Sequence, residues 1–265
     1  MTQIERFTDG IAICGDCMAA DVLDAVRSEF RGLRGVPLVI ADPPYGGIVD
    51  EDWDHIVSDQ ELARYLRHMT WTYAQMLSDG GAMYVWGGVG KPGNRSFLRY
   101  IVETEKAGSL ELANLITWAK KRAYGVQNNY LWTREECAYW VKGDAKKPKT
   151  FRVPYLEKKR GYAGYNAKYP AKSELLRRTN VWSDVTEIFR GKQHPAQKAQ
   201  RVCEIPIQVH TEPGDYVLDP FAGAGTTAMA CRALQRRFIV VEKNEIYFDA
   251  MVERLRAYEP TGIGK

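Results

Sequence analysis

The sequence predicts a doubly wound α/β fold built on a mostly parallel sheet. Short apolar runs alternate with stretches of helical periodicity, the pattern of strands separated by crossover helices. One run, Val36-Pro37-Leu38-Val39-Ile40-Ala41, is continuously apolar, as strands buried on both faces are. A glycine-rich turn, Gly223-Ala224-Gly225, joins a strand to a helix.

Taken in order, residues 11–14 read as a strand. Residues 19–31 read as an amphipathic helix through Val22, Leu23, Val26 and Phe30. Residues 36–41 are the buried strand, ended by Pro43-Pro44. Leu62, Leu66, Met69, Tyr73, Met76 and Leu77 recur at helical spacing over 59–77, and Ser78-Asp79-Gly80-Gly81 stops that helix. Residues 82–86 are the next strand. A helix near 94–107 leads to a strand at 112–118, and 136–141 reads as a strand near a sheet edge. Residues 143–180 change character: they are rich in Lys, Arg, Tyr, Gly and Pro and show little periodicity. They read as an insertion, leaving a main domain of 1–142 and 181–265. A helix at about 195–210, a strand at 216–219, a helix at 226–235, a strand at 238–242 and a helix at 245–257 complete the chain.

Composition narrows the function classes. With 265 residues, 45% of them hydrophobic, the chain can bury a core without disulfides or a structural metal. No run of 18 apolar residues spans a bilayer, and the first residues lack the apolar stretch of a signal peptide. Five cysteines (14, 17, 137, 203, 231) are an odd count, the usage of reduced thiols in a cytoplasmic protein. Cys14-x-x-Cys17 has no second pair downstream and reads as strand-end thiols rather than a metal or redox site. His55, His68 and His210 read as surface or packing residues.

The net charge of +4 hides an asymmetry. Residues 118–201 hold 20 Lys+Arg against 7 Asp+Glu, a balance of +13, while the remainder carries −9. Aromatic residues are interleaved there: Trp118, Tyr124, Tyr130, Trp132, Phe151, Tyr155, Tyr162, Tyr165 and Tyr169. Cations that attract phosphate beside rings that stack on bases are what a nucleic-acid surface needs. The candidate contacts are Lys120, Lys121, Arg122, Lys146, Lys147, Lys149, Arg152, Lys158, Lys159, Arg160, Arg177 and Arg178. A solvated lysine-rich segment would look the same.

Two motifs carry chemistry. Asp219-Pro220-Phe221-Ala222-Gly223-Ala224-Gly225-Thr226-Thr227 follows a strand and opens a helix, and the next strand ends in Glu242, placed to accept hydrogen bonds from ribose hydroxyls. Alone it could also be a nicotinamide-dinucleotide fingerprint or a plain strand-to-helix turn. Asp42-Pro43-Pro44-Tyr45 closes the apolar strand. Its prolines remove two N–H donors, leaving a carboxylate and carbonyls, all acceptors, beside a phenol ring. That set suits a planar group bearing an NH2, such as adenine or cytosine, with Tyr45 stacked on the base; a rigid turn that happens to hold an Asp would read the same. Trp53, just beyond, lines that pocket or anchors a loop.

At these residues the sequence resembles the β-class amino-methylating DNA methyltransferases. Asp42-Pro43-Pro44-Tyr45 matches their catalytic motif, and the 219–227 segment resembles their S-adenosylmethionine loop. Gly15-Asp16-Cys17 is similar to a segment whose Asp contacts the cofactor adenine. His194-Pro195-Ala196-Gln197-Lys198 resembles another cofactor-side segment, departing where Ala199 replaces a proline. The resemblance covers roughly 11–118 and 181–257. Its order, catalytic motif first and cofactor loop last, is the circularly permuted β-class arrangement of the S-adenosylmethionine-dependent methyltransferase fold, with 143–180 as the target-recognition segment.

The resemblance implies an S-adenosylmethionine-dependent enzyme methylating N6 of a flipped adenine in double-stranded DNA. Asp at the first motif position favours adenine, and cytosine N4 is the alternative. It implies cofactor contacts from Asp16, Cys17, Asp42, His194, Gln197, Lys198, Asp219, Phe221, Ala222, Gly223, Gly225, Thr226, Thr227, Glu242 and Lys243, and no metal. A homodimer, a companion restriction endonuclease, an RNA substrate and a partner subunit without catalysis all stay open.

Overall fold

The computed structural model describes residues 2–45, 58–88, 95–124, 128, 130–159, 174–186 and 197–258. The elements are β1 (Gln3–Phe7), β2 (Gly10–Cys14), α1 (Ala20–Glu29), β3 (Val36–Ala41), α2 (Asp59–Ala74), β4 (Leu77–Gly87), α3 (Ser96–Ala107), β5 (Glu111–Tyr124), β6 (Trp132–Val141), β7 (Tyr155–Lys159), β8 (Leu175–Arg177), β9 (Val181–Trp182), α4 (Gln200–His210), β10 (Tyr216–Asp219), α5 (Thr226–Ala233), β11 (Arg237–Glu242) and α6 (Glu245–Arg256). No helix among the described residues is long and apolar enough to cross a membrane.

Nine strands form one sheet in the order β1-β2-β11-β10-β3-β4-β6-β5-β9. The run from β2 to β4 is parallel throughout, and only β1 and β6 run against the rest. Period-two alternation then divides the core between two faces. Leu38, Ile40, Tyr84 and Val217 face α4, α5 and α6, where Val202, Ala228 and Phe248 cover them. Val39, Val85 and Leu218 face α1, α2 and α3, where Val26, Leu66 and Tyr100 cover them. The mostly parallel α/β sheet is therefore as the sequence predicts.

Local signals set the ends. Ser58 caps α2 by accepting the Glu61 N–H, and its hydroxyl donates to the Glu61 carboxylate at 2.9 Å, a reciprocal cap readable as Ser-x-x-Glu. Asn244 caps α6 by accepting from Ile246 and Tyr247. Helix α2 ends at Ala74, and the residues expected to stop it, 78–81, lie inside β4 as an irregularity in its pairing with β3.

The structure differs from or adds to the sequence reading at three places. Strand β6 is interior, between β4 and β5, because β5 and β9 continue the sheet beyond it. β1 pairs antiparallel with β2 and was not legible, since its burial alternates weakly. Within 143–180, β7 and β8 form a two-stranded ribbon, and the chain rejoins the main sheet at β9. The residues before the ribbon lie against the main body: Ala145 and Phe151 pack on its core, and Arg152 N–H donates to Val209 O at 2.9 Å.

Candidate active site

Because β2, β11, β10, β3 and β4 run the same way, their carboxyl ends meet at one edge. β10 and β3 are neighbours there, but the helices that follow them, α5 and α2, cover opposite faces. That divergence opens a crevice, the place where open α/β sheets bind ligands. Asp16, Asp42, Asp219 and Glu242 all stand at or just beyond these strand ends.

On one side of the crevice the carboxylates are tied to backbone. Glu242 accepts from Gly223 N at 2.7 Å on one oxygen and from Asn244 N at 2.8 Å on the other. Asp219 accepts from Phe221 N at 2.8 Å and from the Thr227 hydroxyl at 2.5 Å. Burial pushes the Asp219 carboxyl up to about 7, against the pull of those two donors. Burial likewise raises the Glu242 carboxyl. Asp16 is half-exposed; burial opposes its ionisation, but the Met18 N–H and Lys243 ammonium win and hold it below its ordinary value. Gly225 opens α5 at φ +76°, and a Cβ there would stand 2.6 Å from Met251 Cγ, so both backbone and packing require glycine.

These residues fit a nucleoside-bearing ligand. Glu242 and the strand end of β2 lie side by side, since Glu242 pairs with Cys14 in the β11–β2 ladder. The Tyr65 and Phe221 rings meet edge to face with centroids 6.5 Å apart. Cys17 is buried beside them, its thiol 3.5 Å from Tyr65 Oη, and burial pushes it up to about 12, so it is an inert thiol. Carboxylates for hydroxyls, a backbone amide turn and an aromatic flank are the chemistry such a ligand needs.

On the other side the groups are tied to one another. Lys198 Nζ lies 2.6 Å from both Asp42 oxygens and 2.8 Å from Tyr45 Oη. Tyr45 donates to Asp42 Oδ1 at 2.9 Å. Glu135, on β6, receives Lys198 at 3.0 Å on Oε2 and Lys120, on β5, through Oε1. Burial opposes ionisation of Glu135, but the two lysines outweigh it and hold its carboxyl down at about 2. Burial pushes the Asp42 carboxyl up, with Lys198 pulling it back. Lys198 also sits 5.1 Å from the Tyr45 ring centroid and 5.4 Å from that of Trp86.

This differs from the acceptor-only picture drawn from the motif. Both Asp42 oxygens are engaged, and the donor is Lys198, which the sequence had placed with the cofactor. Glu135 was missed. Its one signal is period two: it shares a face of β6 with buried Cys137 and Tyr139.

The basic residues separate. Lys121, Arg122, Lys146, Lys147, Lys149 and Arg177 are exposed. Arg178 is buried, its guanidinium paired with both oxygens of Asp184 at 2.6 and 2.7 Å, so it is a structural cation rather than a surface one. Arg152 anchors the segment through Thr211 O and Glu212, both at 2.5 Å. Trp118 is core, donating to Val185 O at 2.9 Å, and Phe151 packs on the core, while Tyr130 is fully exposed. His194, Arg160, Trp53, Tyr162, Tyr165 and Tyr169 lie outside the described residues, as do the side chains of Lys158, Lys159 and Tyr124. His210 is buried and holds Thr150 at 2.8 Å and Tyr84 at 3.1 Å, a packing role.

A family model described as DNA methylase matches residues 36–253. The chain is 29% identical over 243 residues to the Type II methyltransferase M2.DpnII of Streptococcus pneumoniae, covering 86% of this chain and 85% of that one. It is 28% identical over 250 residues to the Type II methyltransferase M.BamHI of Bacillus amyloliquefaciens, of whose length it spans 53%. Its fold resembles the PvuII DNA methyltransferase (cytosine-N4-specific), with a TM-score of 0.71 at 16% identity over 96% of this chain and 88% of that one. It also resembles the M1.HpyAVI–SAM complex, with a TM-score of 0.59 at 24% identity over 92% and 98%. With the family model matched across most of its length, the chain belongs to the N6/N4 amino-methyltransferase family of DNA methylases.

Proposed function

We propose that this chain methylates N6 of an adenine flipped out of duplex DNA, with S-adenosylmethionine as the donor. One observation carries the reading. Asp42 and Tyr45 stand at the end of β3, one strand from the nucleoside-type crevice at β10 and β11.

Asp16, Phe221, Gly223 and Glu242 would hold the cofactor, which supplies an electrophilic methyl group on a sulfonium. Glu242 is preset by two backbone N–H groups, so little order is lost on binding. Asp42 and the Pro43 carbonyl would accept the two N–H bonds of the target amine, leaving its lone pair freer to react. Tyr45 would meet the base face, a contact worth roughly 1–3 kcal/mol. Flipping costs a few kcal/mol, which phosphate contacts from the exposed lysines and arginines of 121–177 would offset. The chemistry is positioning and electrostatic complementarity, with no covalent enzyme intermediate. Asp rather than Ser at position 42 supports adenine over cytosine.

The test is to incubate the protein with unmethylated genomic DNA and labelled S-adenosylmethionine, then digest and identify the nucleoside. N6-methyl-2′-deoxyadenosine is expected. N4-methyl-2′-deoxycytidine would overturn the base assignment and keep the chemistry. Unlabelled DNA would overturn the reading.

A further inference from the structure

We propose that Glu135 is a positioning residue, offering Lys198 a second anionic seat so that Asp42 can release the ammonium and accept the target amine. The proposal rests on the reading of Asp42 as that acceptor. As the structure stands, both Asp42 oxygens face Lys198 at 2.6 Å, so an incoming amine and the lysine compete for the same lone pairs.

Lys198 cannot simply be left behind. Its side chain is 9% accessible, and a buried ammonium without a partner is strongly unfavourable. Asp42 and Glu135 are the two carboxylates that meet it among the described residues, and Glu135 Oε2 already stands 3.0 Å from Nζ. A shift of Lys198 from one to the other keeps it paired throughout. Glu135 is built for that role. It lies in the interior strand β6, in register with Trp118 of β5. Lys120 occupies its Oε1, and Oε2 faces Lys198 at 3.0 Å while also accepting from the Tyr45 hydroxyl at 3.3 Å. The four groups are electrically balanced, two carboxylates against two ammoniums. Trp86, beneath Lys198 at 5.4 Å, supplies a ring face over which the ammonium stays attracted as it shifts. Neither sequence motif contains Glu135.

The experiment compares the full chain with Glu135→Gln, Glu135→Asp, and Glu135→Gln combined with Lys198→Met. Calorimetry measures S-adenosylmethionine affinity, and single-turnover assays at alkaline pH measure methyl transfer to DNA. Glu135→Gln should bind the cofactor as the parent does yet transfer about 100-fold more slowly, the scale of an ångström-sized misplacement. Glu135→Asp, still anionic, should be faster than Glu135→Gln. Removing Lys198 in the Glu135→Gln chain should recover about tenfold of the loss, because nothing then competes for Asp42. A merely structural role would not give that recovery. Parental transfer by Glu135→Gln, or a double variant no faster than the single one, overturns the proposal.

If the parent methylates no DNA, the functional reading has failed, and the Asp42 carboxyl titration followed by NMR decides the inference instead. Among the described residues, the titratable groups that interact with Asp42 are Lys198, Tyr45, Glu135, Asp219 and the Cys137 and Cys203 thiols. Glu135 raises the Asp42 carboxyl by repulsion, so Glu135→Gln should lower its titration point. An unmoved titration overturns the link.

Discussion

At the β10–β11 side of the crevice, Glu242 and Asp219 are held by backbone N–H groups and a threonine hydroxyl. At the β3 side, Asp42 and Glu135 are held by two lysines and a phenol. Backbone donors move only when the fold moves. A lysine rides on a four-carbon stem and can exchange partners with little disturbance. Under the proposed function the first half would be a preformed receptor for a constant ligand. The second is an ion-pair network that, under the proposed function, would have to open for each target base. The contrast is most sharply tested by Asp42→Ala. Cofactor affinity should stay within about twofold, while methyl transfer falls by about 10²–10³-fold, the scale of losing one preorganised polar contact at the reacting group. Calorimetry and a methylation assay on one preparation check both; an active variant breaks the division.

The two halves also differed in how much of them the sequence showed. Buried parallel strands appear as unbroken apolar runs, so the acids that end them, Asp42, Asp219 and Glu242, stood out, and the structure brings all three to one edge. Local spacing carried the rest of the receptor half, since Gly223 and Glu242 sit 19 residues apart and Asp219 and Thr227 sit 8 apart. The β3 half is assembled from far-off segments: Tyr45 and Glu135 are 90 residues apart, and Lys198 and Asp42 are 156 apart. Nothing local announces such pairs. Trp118 and Arg178 were read as surface groups from the charge of their neighbourhood, but β9 and Val185 cover the first and Asp184 engages the second. Charge per segment does not tell which side chain points inward.

The receptor half should leave a mark on stability. The Asp219 carboxyl is raised to about 7 when folded, so the folded chain holds a proton there that the unfolded chain releases above its ordinary value of 3.8. More protons bound in the native state mean that stability falls as pH rises. The contribution is fully present below pH 3.8 and lost progressively toward pH 7, at up to about 1.4 kcal/mol per unit. Asp219→Asn keeps the shape and removes this slope. Denaturant titrations of both proteins at several pH values check it, and parallel curves would show that Asp219 ionises normally.

Gly225→Ala probes the same half through backbone. A residue at φ +76° without glycine, with its Cβ 2.6 Å from Met251, should cost about 1–3 kcal/mol and weaken cofactor binding by moving the loop. Catalysis at saturating cofactor should change less, since Asp42 and Lys198 do not touch this turn. A variant with lowered melting temperature, weakened cofactor binding and near-parental transfer at saturation supports the division between the halves. Loss confined to catalysis argues against it.

The smallest effect marks where the receptor half ends. Lys243 is 73% exposed and Asp16 44%, so their 2.9 Å pair is a solvent-screened contact, unlike the backbone bonds of Glu242. Exposed pairs contribute about 0–1 kcal/mol. Lys243→Ala should therefore change unfolding free energy by less than about 1 kcal/mol, and added salt should erase the difference. Asp16 keeps its second tether, the Met18 N–H at 2.9 Å, so its carboxylate stays in place and cofactor affinity should fall only a few-fold. A large, salt-resistant loss would mean instead that Lys243 contacts the ligand directly and that the receptor extends past its backbone-held acids.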